Sequence, residues 1–434
     1  MKVVIMAGGK GTRIASIAND IPKPMIRIGG KPILEHQIEN LKCCGLTDIT
    51  LVIGHLGNII KDYFQDGHAF GVNISYFTED HPLGTAGALF KMSELTEDFL
   101  LLCGDVIFNV DFNRFISFHQ KHHAWASLMA HPNGHPYDSS LLITEILPPQ
   151  EKGGLPVETH RVIGWLNKEE KRIYYKNRVN AGIQIISPKL LAETMRNYTP
   201  RHPEQPDKID LDRDVLKPNI TSGKIFTYDT PEYIKDMGTP DRIHEVEYDL
   251  QSGKVAARNL SNRQKAIFLD RDGTINEYKG FLTHPDDFEL LSGVTETIRK
   301  INKSGYLCIV VSNQPIIARG DCSFDDLKVI HDKMETLLGQ EGAFIDAIYY
   351  CPHHPDKGFE GERIEYKIDC DCRKPQPGLL LQAAKDWHIN LSASYMIGDS
   401  ERDVAAGNAA GCKQSFLIKR NEPGALFSII NKII

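Results

Sequence analysis

Two aspartates separated by one residue, Asp270 and Asp272, follow an apolar run in the second half of the sequence. The run, Ala266 to Leu269, has the length of a strand buried on both faces. Carboxylates at the carboxyl end of such a strand face the crevice where open α/β sheets bind ligands. The pair can hold a metal ion, or it can act as a nucleophile with an acid–base partner. Since such a strand normally opens its domain, the preceding residues predict a second unit with its own chemistry.

Further polar groups follow the next predicted strands. Ser312 and Asn313 end the apolar run that starts at Cys308, and Asp399 follows the run that starts at Tyr395. Lys374, with Arg373 before it, supplies cations between these two positions. A hydroxyl and a lysine beside carboxylates can stabilise a transferring phosphoryl group. The order carboxylate, hydroxyl, lysine, carboxylate therefore indicates phosphoryl transfer.

These four motifs resemble the haloacid dehalogenase-like phosphatases over about residues 265–420. The resemblance implies that Asp270 attacks phosphorus, giving an aspartyl-phosphate, and that Asp272 protonates the leaving oxygen and later deprotonates water. It implies that Ser312 and Lys374 hold the phosphoryl group. It also implies a Mg²⁺ ion held by Asp270, the carbonyl of Asp272 and Asp399.

Three cysteines and a histidine lie just before Lys374: Cys351, His353, Cys370 and Cys372. Three thiolates and an imidazole match a closed, structural Zn²⁺ site. The C-x-H and C-x-C-R-K-P segments resemble the D-glycero-D-manno-heptose 1,7-bisphosphate phosphatases, whereas the similar histidinol-phosphate phosphatases have a shorter metal loop. The resemblance implies four residues that bind substrate: Tyr278, Phe281, Asn313 and Arg373. The sequence departs from the relatives at Pro315 and Ile316, where they usually have Ser-Gly.

The N-terminus carries a glycine-rich loop directly after a predicted strand, Val3 to Ala7. Glycines allow backbone N–H groups to approach a polyphosphate, and Arg13 adds a forked cation. The pattern is neither a P-loop nor GxGxxG, and a plain glycine turn is the alternative. Lys23 follows between two prolines, which suits a fixed phosphate contact. The loop therefore predicts a triphosphate site.

A second loop of small residues, Leu83 to Leu89, opens a predicted helix. Small residues there allow a flat ring to lie close to the backbone, and tight helix packing is the alternative. A buried strand from Leu100 to Cys103 ends in Gly104 and Asp105. A carboxylate at that position is well placed to hold Mg²⁺.

The ordered motifs GGKGTR, PKP, LGTAGAL, CGD, NAG and KDMGTP resemble the sugar-1-phosphate nucleotidyltransferases over about residues 1–240. In that family the sugar 1-phosphate attacks the α-phosphorus of a nucleoside triphosphate and expels pyrophosphate. The resemblance implies that Lys23 contacts phosphate at the reacting centre and that Asp105 and Asp236 hold Mg²⁺. Of the two lysines that could match the one in the family's EKP segment, Lys168 fits better than Lys171. It implies triphosphate contacts from Gly8, Gly9, Gly11, Thr12 and Arg13, a base and sugar pocket lined by Gly84, Thr85 and Gly87, and sugar contacts from Asn180 and Gly182.

A chain of 434 residues is too long for one ordinary core. We predict two doubly wound, Rossmann-like α/β domains, a nucleotidyltransferase over residues 1–244 and a haloacid dehalogenase-like domain with a zinc loop over 265–434, joined by a linker over 245–264. The net charge of −7 and the lack of a Lys/Arg stripe argue against a nucleic-acid partner. The apolar run near the N-terminus is too short for a signal peptide or a membrane span. We therefore expect a cytoplasmic enzyme that acts on small molecules, namely sugar phosphates and GTP. The sequence is compatible with an oligomer.

The two chemistries fit in sequence. A phosphatase that removes the distal phosphate of a heptose 1,7-bisphosphate makes a sugar 1-phosphate, which a nucleotidyltransferase consumes. We predict GTP as the donor, giving GDP-heptose, and the α-anomer as the sugar, since the guanylyl branch of the family uses it. The alternatives are a hexose (mannose) guanylyltransferase fused to a histidinol-phosphate-like phosphatase, and a regulator that binds a nucleotide sugar without turning it over.

Overall fold

The computed structural model describes residues 1–9, 20–358 and 360–434. Its N-terminal region, from β1 to α6, alternates strands with helices. The strands are β1 (Val3–Met6), β2 (Arg27–Ile28), β3 (Lys31–Pro32), β4 (Asp48–Ile53), β5 (Asn73–Thr78), β6 (Phe99–Cys103), β7 (Val106–Asn109), β8 (Ala126–His131), β9 (Leu141–Leu147), β10 (Val157–Leu166), β11 (Val179–Ile186), β12 (Ile225–Asp229) and β13 (Tyr233–Asp236). The helices are α1 (Ile33–Cys43), α2 (Gly57–Phe64), α3 (Phe112–His122), α4 (Pro188–Asn197), α5 (Pro240–Gln251) and α6 (Lys254–Ala257).

The main sheet of this region has the strand order β5-β4-β1-β6-β11-β8-β12-β10-β9. The four strands at the β5 end are parallel, and the β8–β12 pair is parallel too, whereas β11, β10 and β9 pair with their neighbours in antiparallel fashion. Val3 and Ile5 pack into one hydrophobic cluster and Val4 into another, so β1 is buried on both faces. This is the doubly wound arrangement that the sequence predicts.

The C-terminal region, from β14 to α12, forms a second doubly wound unit. Its strands are β14 (Lys265–Leu269), β15 (Tyr306–Asn313), β16 (Ala347–Cys351), β17 (Tyr395–Gly398) and β18 (Gln414–Leu417), in the all-parallel order β16-β15-β14-β17-β18. Its helices are α7 (Val294–Lys303), α8 (Ile316–Arg319), α9 (Phe324–Gln340), α10 (Gly378–Asp386), α11 (Glu401–Ala409) and α12 (Ala425–Ile433). Ile267 and Leu269 pack on one face of the central β14, and Ala266 and Phe268 on the other. The carboxyl ends of β14, β15 and β17 consequently meet at one edge.

The segment between the regions is ordered by side-chain contacts. Helix α5 ends at Gln251, because Gly253 takes the left-handed conformation with φ of +77° before the short α6 begins. Arg258 then forms a buried ion pair with Asp346 of the C-terminal region, with 3.2 Å between Nη2 and Oδ1. The main-chain N–H of Leu260 donates to the buried carboxylate of Glu232 at 2.8 Å. The proposed domain boundary after residue 244 falls within α5 and stays a prediction.

In the described part of the chain, no helix combines the length and the hydrophobicity that crossing a bilayer requires.

Candidate active sites

A buried lysine lies between two carboxylates at the carboxyl edge of the C-terminal sheet. Lys374 Nζ is 2.7 Å from Asp270 Oδ1 and 2.6 Å from Asp403 Oδ1, and it donates to the carbonyl of Val311 at 2.8 Å. Asp270 follows β14 directly, and Asp403 lies in the first turn of α11. The lysine therefore fixes the position of the carboxylate predicted to be the nucleophile.

Burial and the neighbouring charges act on Asp270 in opposite directions. Burial raises its pKa, Lys374 lowers it and Asp403 raises it, which leaves the pKa at about 7. Burial lowers the pKa of Lys374, but the two carboxylates outweigh this effect and the pKa lies above its usual value. Any further cation at this edge favours the ionised Asp270 that nucleophilic attack requires.

Asp272 is held by a hydrogen-bond network. Arg271 is fully buried and donates to both carboxylate oxygens of Asp272 at 2.9 Å. Gln314 donates from Nε2 to Asp272 Oδ2 at 2.8 Å and to the predicted phosphoryl ligand Ser312 Oγ at 2.7 Å. Asn276 adds a third donor, at 3.1 Å from Oδ1. The predicted acid–base residue and the predicted phosphoryl ligand thus share one partner, Gln314.

Three carboxylates at this edge could hold a divalent cation. Asp270, Asp399 and Asp403 each offer an oxygen within 4.8 Å of the others, and oxygen donors suit Mg²⁺. Asp399 also forms an ion pair with Arg420. The sequence predicted Asp270 and Asp399 here but assigned no role to Asp403 or Arg420. The spacing of Asp403, four residues after Asp399, was the available signal.

Asp403 has two structural tasks. Its carboxylate accepts from the Ser400 N–H in a capping box that starts α11, and its other oxygen contacts Lys374. A capping box fixes the first turn of a helix, so the start of α11 and the position of the buried lysine depend on one side chain.

Exposed aromatic residues flank this centre. The guanidinium of Arg420 lies 4.4 Å from the ring centre of Tyr278, and that of Arg319 lies 4.4 Å from the ring centre of Phe281. Tyr278 is also held through its main chain by the amide side chain of Asn421. Tyr278 and Phe281, both predicted to bind sugar, therefore stand beside cations that suit an anionic substrate.

The predicted zinc ligands come together in a compact cluster. The Sγ atoms of Cys351, Cys370 and Cys372 are 3.1 to 3.6 Å apart, and His353 Nδ1 is 3.3 Å from Cys372 Sγ and 3.6 Å from Cys351 Sγ. A tetrahedron with Zn–S bonds of about 2.3 Å has edges of roughly 3.8 Å. The donor set and its spacing therefore fit Zn²⁺.

The cluster is connected to both regions. His353 Nε2 lies 2.7 Å from the carbonyl of Gly153, in the loop between β9 and β10 of the N-terminal region. On the other side, Arg373 donates to the carbonyl of His353 at 3.0 Å. Asn313 and Lys374 exchange two hydrogen bonds, from Asn313 Nδ2 to the Lys374 carbonyl and from Lys374 N–H to Asn313 Oδ1. The predicted metal loop thus leads directly to the buried lysine.

The N-terminal region has a lysine–carboxylate pair of its own. Lys23, in a short 3-10 helix, forms an ion pair with Asp105, which follows β6. Asp236, at the end of β13, pairs in register with Val106, and the next N–H along, of Met237, donates to the Asp105 carbonyl at 2.9 Å. The two carboxylates predicted to bind Mg²⁺ therefore lie on adjacent backbone segments.

Both carboxylates line a cavity of about 660 Å³, together with Thr85, Asn180 and Gly182. The β11–β8 pairing is irregular between Asn180 and Gln184, and Gly182 has φ of +73°. Bulges of this kind redirect side chains next to binding sites. The structure therefore brings these predicted sugar ligands to one place.

Arg242 of α5 was not predicted from the sequence, although it also lines the cavity. It forms an ion pair with Asp236. Burial raises the pKa of Asp236, but Arg242, His135 and Lys23 together hold that pKa below its usual value. Asp236 therefore keeps the negative charge that a metal ligand needs.

The structure describes the two predicted glycine-rich loops to different extents. Gly8 and Gly9 follow β1, whereas Gly11, Thr12 and Arg13 lie outside the described residues. Side chains at Gly84 and Gly87 would collide with the carbonyls of Ile209 and Asp207. The structure thus gives these two glycines a packing role, and their predicted place in the base and sugar pocket stays a prediction.

Lys168 lies in an exposed turn after β10 and is not among the described residues that line the cavity. Asn180 of β11, by contrast, lines the cavity. The structure therefore does not bring Lys168 to the other predicted sugar ligands, and its role stays a prediction.

Comparisons with known proteins match the two regions separately. The family model described as Nucleotidyl transferase matches residues 2–253, more than half of the chain, and one described as HAD-hydrolase-like matches residues 371–422. The D-glycero-beta-D-manno-heptose-1,7-bisphosphate 7-phosphatase of Pasteurella multocida is 44% identical over 161 residues, which cover 37% of this chain and 84% of the relative. The protein of the same name from Escherichia coli K12 is 42% identical over 158 residues, covering 36% and 81%. The crystal structure of HddC from Yersinia pseudotuberculosis complexed with GMP-PN aligns with 57% of this chain and 99% of its own, at 24% identity and a TM-score of 0.45.

Proposed function

The chain belongs both to the nucleotidyl transferase family and to the family of the heptose-bisphosphate phosphatases, and from this premise we propose that it is a bifunctional enzyme. The C-terminal region removes the 7-phosphate of D-glycero-alpha-D-manno-heptose 1,7-bisphosphate. The N-terminal region transfers a guanylyl group from GTP to the resulting heptose 1-phosphate, giving GDP-heptose and pyrophosphate. The observation that carries the proposal is the presence of two separate lysine–carboxylate centres, Lys374 with Asp270 and Lys23 with Asp105.

In the phosphatase reaction, a carboxylate oxygen of Asp270 attacks the phosphorus of the 7-phosphate. The bond from phosphorus to the sugar oxygen breaks, and Asp272 gives that oxygen a proton. Water then attacks the aspartyl-phosphate, Asp272 takes a proton from it, and inorganic phosphate leaves. Lys374 and Ser312 offset the charge on the phosphoryl oxygens. The hydrogen bond from Lys374 to Oδ1 of Asp270 supports this assignment, because it orients the attacking group.

In the transferase reaction, an oxygen of the sugar 1-phosphate attacks the α-phosphorus of GTP, and pyrophosphate leaves. Such a transfer needs positioning and charge compensation rather than covalent help from the protein. Lys23 contacts phosphate at the reacting centre, and Asn180 and Gly182 orient the sugar. Gly8, Gly9 and the rest of the glycine-rich loop bind the triphosphate.

Metal ions complete both centres. Mg²⁺, when bound, neutralises charge on the phosphoryl groups; Asp105 and Asp236 would hold it in the transferase, and Asp270, Asp399 and the Asp272 carbonyl in the phosphatase. Asp403 would be a further ligand there, on the strength of its distance to the other two carboxylates. Zn²⁺ in the cysteine–histidine cluster would order the loop that ends in Arg373 and Lys374.

The decisive experiment supplies the full chain with α- or β-heptose 1,7-bisphosphate, Mg²⁺ and one of four nucleoside triphosphates. We expect phosphate release from the bisphosphate and a product with the mass of GDP-heptose, with GTP and the α-anomer preferred. The curated relatives are named for the β-anomer, so the anomer arm tests the proposal most strictly.

The control substrates are mannose 1-phosphate and histidinol phosphate. Faster turnover of either would replace the heptose assignment for the corresponding region. Nucleotide binding without pyrophosphate release from any sugar phosphate would instead mean that the N-terminal region is a sensor.

A further inference from the structure

The transferase cavity has walls from both regions. Besides the carboxylates of the N-terminal region, it is lined by Arg299 and Asn302 of α7 and by Gly342 and Phe344, which follow α9. These residues belong to the phosphatase. The cavity that would receive the sugar 1-phosphate is therefore a space between two regions, and its shape depends on how they dock.

Two main-chain amides of the N-terminal region donate to α9. The Tyr175 N–H donates to Thr336 Oγ1 at 2.9 Å, and the Asn177 N–H donates to a carboxylate oxygen of Glu335. Both acceptors are buried, with 2% and 7% of their surface exposed. Buried amides without partners are costly, so these two bonds fix the segment 174–178 on the helix.

From Asn177 the contacts continue to the cavity wall. Its side chain donates to the Asn133 carbonyl at 2.7 Å and accepts from the Asn133 N–H at 3.2 Å. Asn133 Oδ1 in turn accepts from the His135 N–H at 2.9 Å. His135 Nδ1 lies 3.3 Å from Arg242, whose guanidinium is paired with Asp236. A continuous set of hydrogen bonds thus links α9 to a predicted Mg²⁺ ligand.

Direct backbone packing supports the same docking. A Cβ atom at Gly134 would lie 2.8 Å from the carbonyl of Gly342, so only glycine allows this approach. Pro136, two residues on, packs on Gly339 at the end of α9. The segment that supplies Asn133, Gly134 and His135 to the cavity wall therefore contacts the phosphatase at Gly134 and Pro136.

We infer that helix α9 of the phosphatase holds one wall of the transferase's sugar-phosphate pocket in place, with Glu335 and Thr336 as positioning residues. They hold Asn133, His135 and Arg242 where a sugar 1-phosphate contacts them. The inference rests on the proposed function for the identity of that ligand. It makes the nucleotide end of the site independent of the phosphatase and the sugar end dependent on it.

The test compares Thr336→Val and Glu335→Leu, which remove the two acceptors, with Glu335→Gln, which keeps an acceptor oxygen. Val329→Ala, at an exposed position of the same helix, is the matched control. For the first two variants of the full chain, we expect KM for heptose 1-phosphate to rise about 10-fold, while KM for GTP and phosphatase kcat/KM stay within twofold. Glu335→Gln and Val329→Ala should behave like the wild type.

Hydrogen–deuterium exchange gives a readout that needs no catalysis. In Thr336→Val, peptides that span residues 174–178 should exchange faster, and peptides from β4 and β5 should not change. Equal rises in both KM values, an unchanged KM for the sugar phosphate, or unchanged exchange at 174–178 would overturn the inference. Failure of the wild type to make a nucleotide sugar would refute the proposed function, while the exchange result would still decide the docking.

Discussion

The two lysine–carboxylate centres use the same side chains in different surroundings. Lys374 is 2% exposed and pairs with two carboxylates, whereas Lys23 is 11% exposed and pairs with Asp105, whose side chain is 35% exposed. Charges interact more strongly where water is excluded. The phosphatase centre accordingly lies buried at the carboxyl edge of one sheet, while the transferase centre faces an open cavity that residues of both regions line. Similar lysine–carboxylate pairs can thus lie in a buried site within one region or beside a cavity that two regions line.

If the two centres are separate, a substitution in one should abolish its activity and leave the other activity intact. Asp270→Asn should lower phosphate release by about 10³-fold or more, because the nucleophile is lost, and should leave nucleotidyl transfer to supplied heptose 1-phosphate within twofold. Asp105→Ala should do the reverse. Parallel assays of phosphate and pyrophosphate measure both. Loss of both activities in either folded variant would contradict two independent centres.

The burial difference predicts unequal costs of losing a cation. Lys374→Met leaves Asp270 and Asp403 facing each other in a buried site, so we expect a loss of about 3–5 kcal/mol in the free energy of unfolding. Lys31→Met, which removes one half-exposed partner of Glu39, should cost less than about 1 kcal/mol. Urea denaturation followed by fluorescence compares them. Equal costs would mean that burial does not distinguish the two kinds of pair.

Glu335, which holds the contact between α9 and the N-terminal region, should make the free energy of unfolding depend on pH. Burial raises the pKa of Glu335 to about 7; Lys176 and the Asn177 N–H lower it, and Asp332 raises it. The folded state therefore keeps a proton that the unfolded state loses above about pH 4.5. Between pH 4.5 and 7 the free energy of unfolding should fall by about 3 kcal/mol and then level off.

Glu335→Gln should abolish this contribution, which denaturation curves at several pH values can measure. Glu296→Gln, at an exposed glutamate of α7, is the control and should keep the slope. An unchanged slope in Glu335→Gln would assign the effect to another group.

The smallest expected effect concerns the contact between the β9–β10 loop and the metal cluster. A Cβ atom at Gly153 would lie 2.6 Å from the Glu365 carbonyl, so Gly153→Ala should displace the carbonyl that holds His353. Loss of a partner of a metal-bound histidine weakens binding by about 10-fold or more. We therefore expect zinc to pass to a chromogenic chelator about 10-fold more readily.

Gly223→Ala is the matched control, because Gly223 shares the positive φ but a Cβ atom there would make only ordinary contact with the Arg161 side chain, at 3.8 Å. It should retain zinc like the wild type. Equal zinc loss from both variants would mean that backbone strain, and not the contact, is responsible.

The phosphatase centre could be predicted from the sequence because parallel strands bring their carboxyl ends to one edge. Asp270, Ser312 and Asp399 each follow an apolar run, so their meeting needed no knowledge of distant packing. Asp403 and Arg420 escaped prediction, since their place depends on where α11 starts and on a loop after β18.

The transferase cavity was predicted less completely. Asp105, Asn180 and Asp236 line one cavity, as the resemblance implied. Arg242 and His135 line it too, but their position depends on tertiary packing, which the spacing of apolar residues along the sequence does not reveal. Lys168 lies in an exposed turn and is not among the described residues that line the cavity, so its role stays a prediction. The antiparallel direction of β9, β10 and β11 was not predicted either, because alternation of apolar residues does not encode strand direction.

The contacts made by Arg258 and Leu260, in the segment between the regions, predict what happens when the chain is cut there. The Leu260 N–H donates to the Glu232 carboxylate of the N-terminal region, and Arg258 forms an ion pair with Asp346 of the C-terminal region. A protease cut at an exposed residue here, such as Ser261, should therefore leave a nicked pair of fragments that co-migrate in gel filtration. If either region were expressed alone, Arg258 or Asp346 would lose its buried ion-pair partner. The two regions should therefore remain associated through their non-covalent contacts after the chain between them is cut.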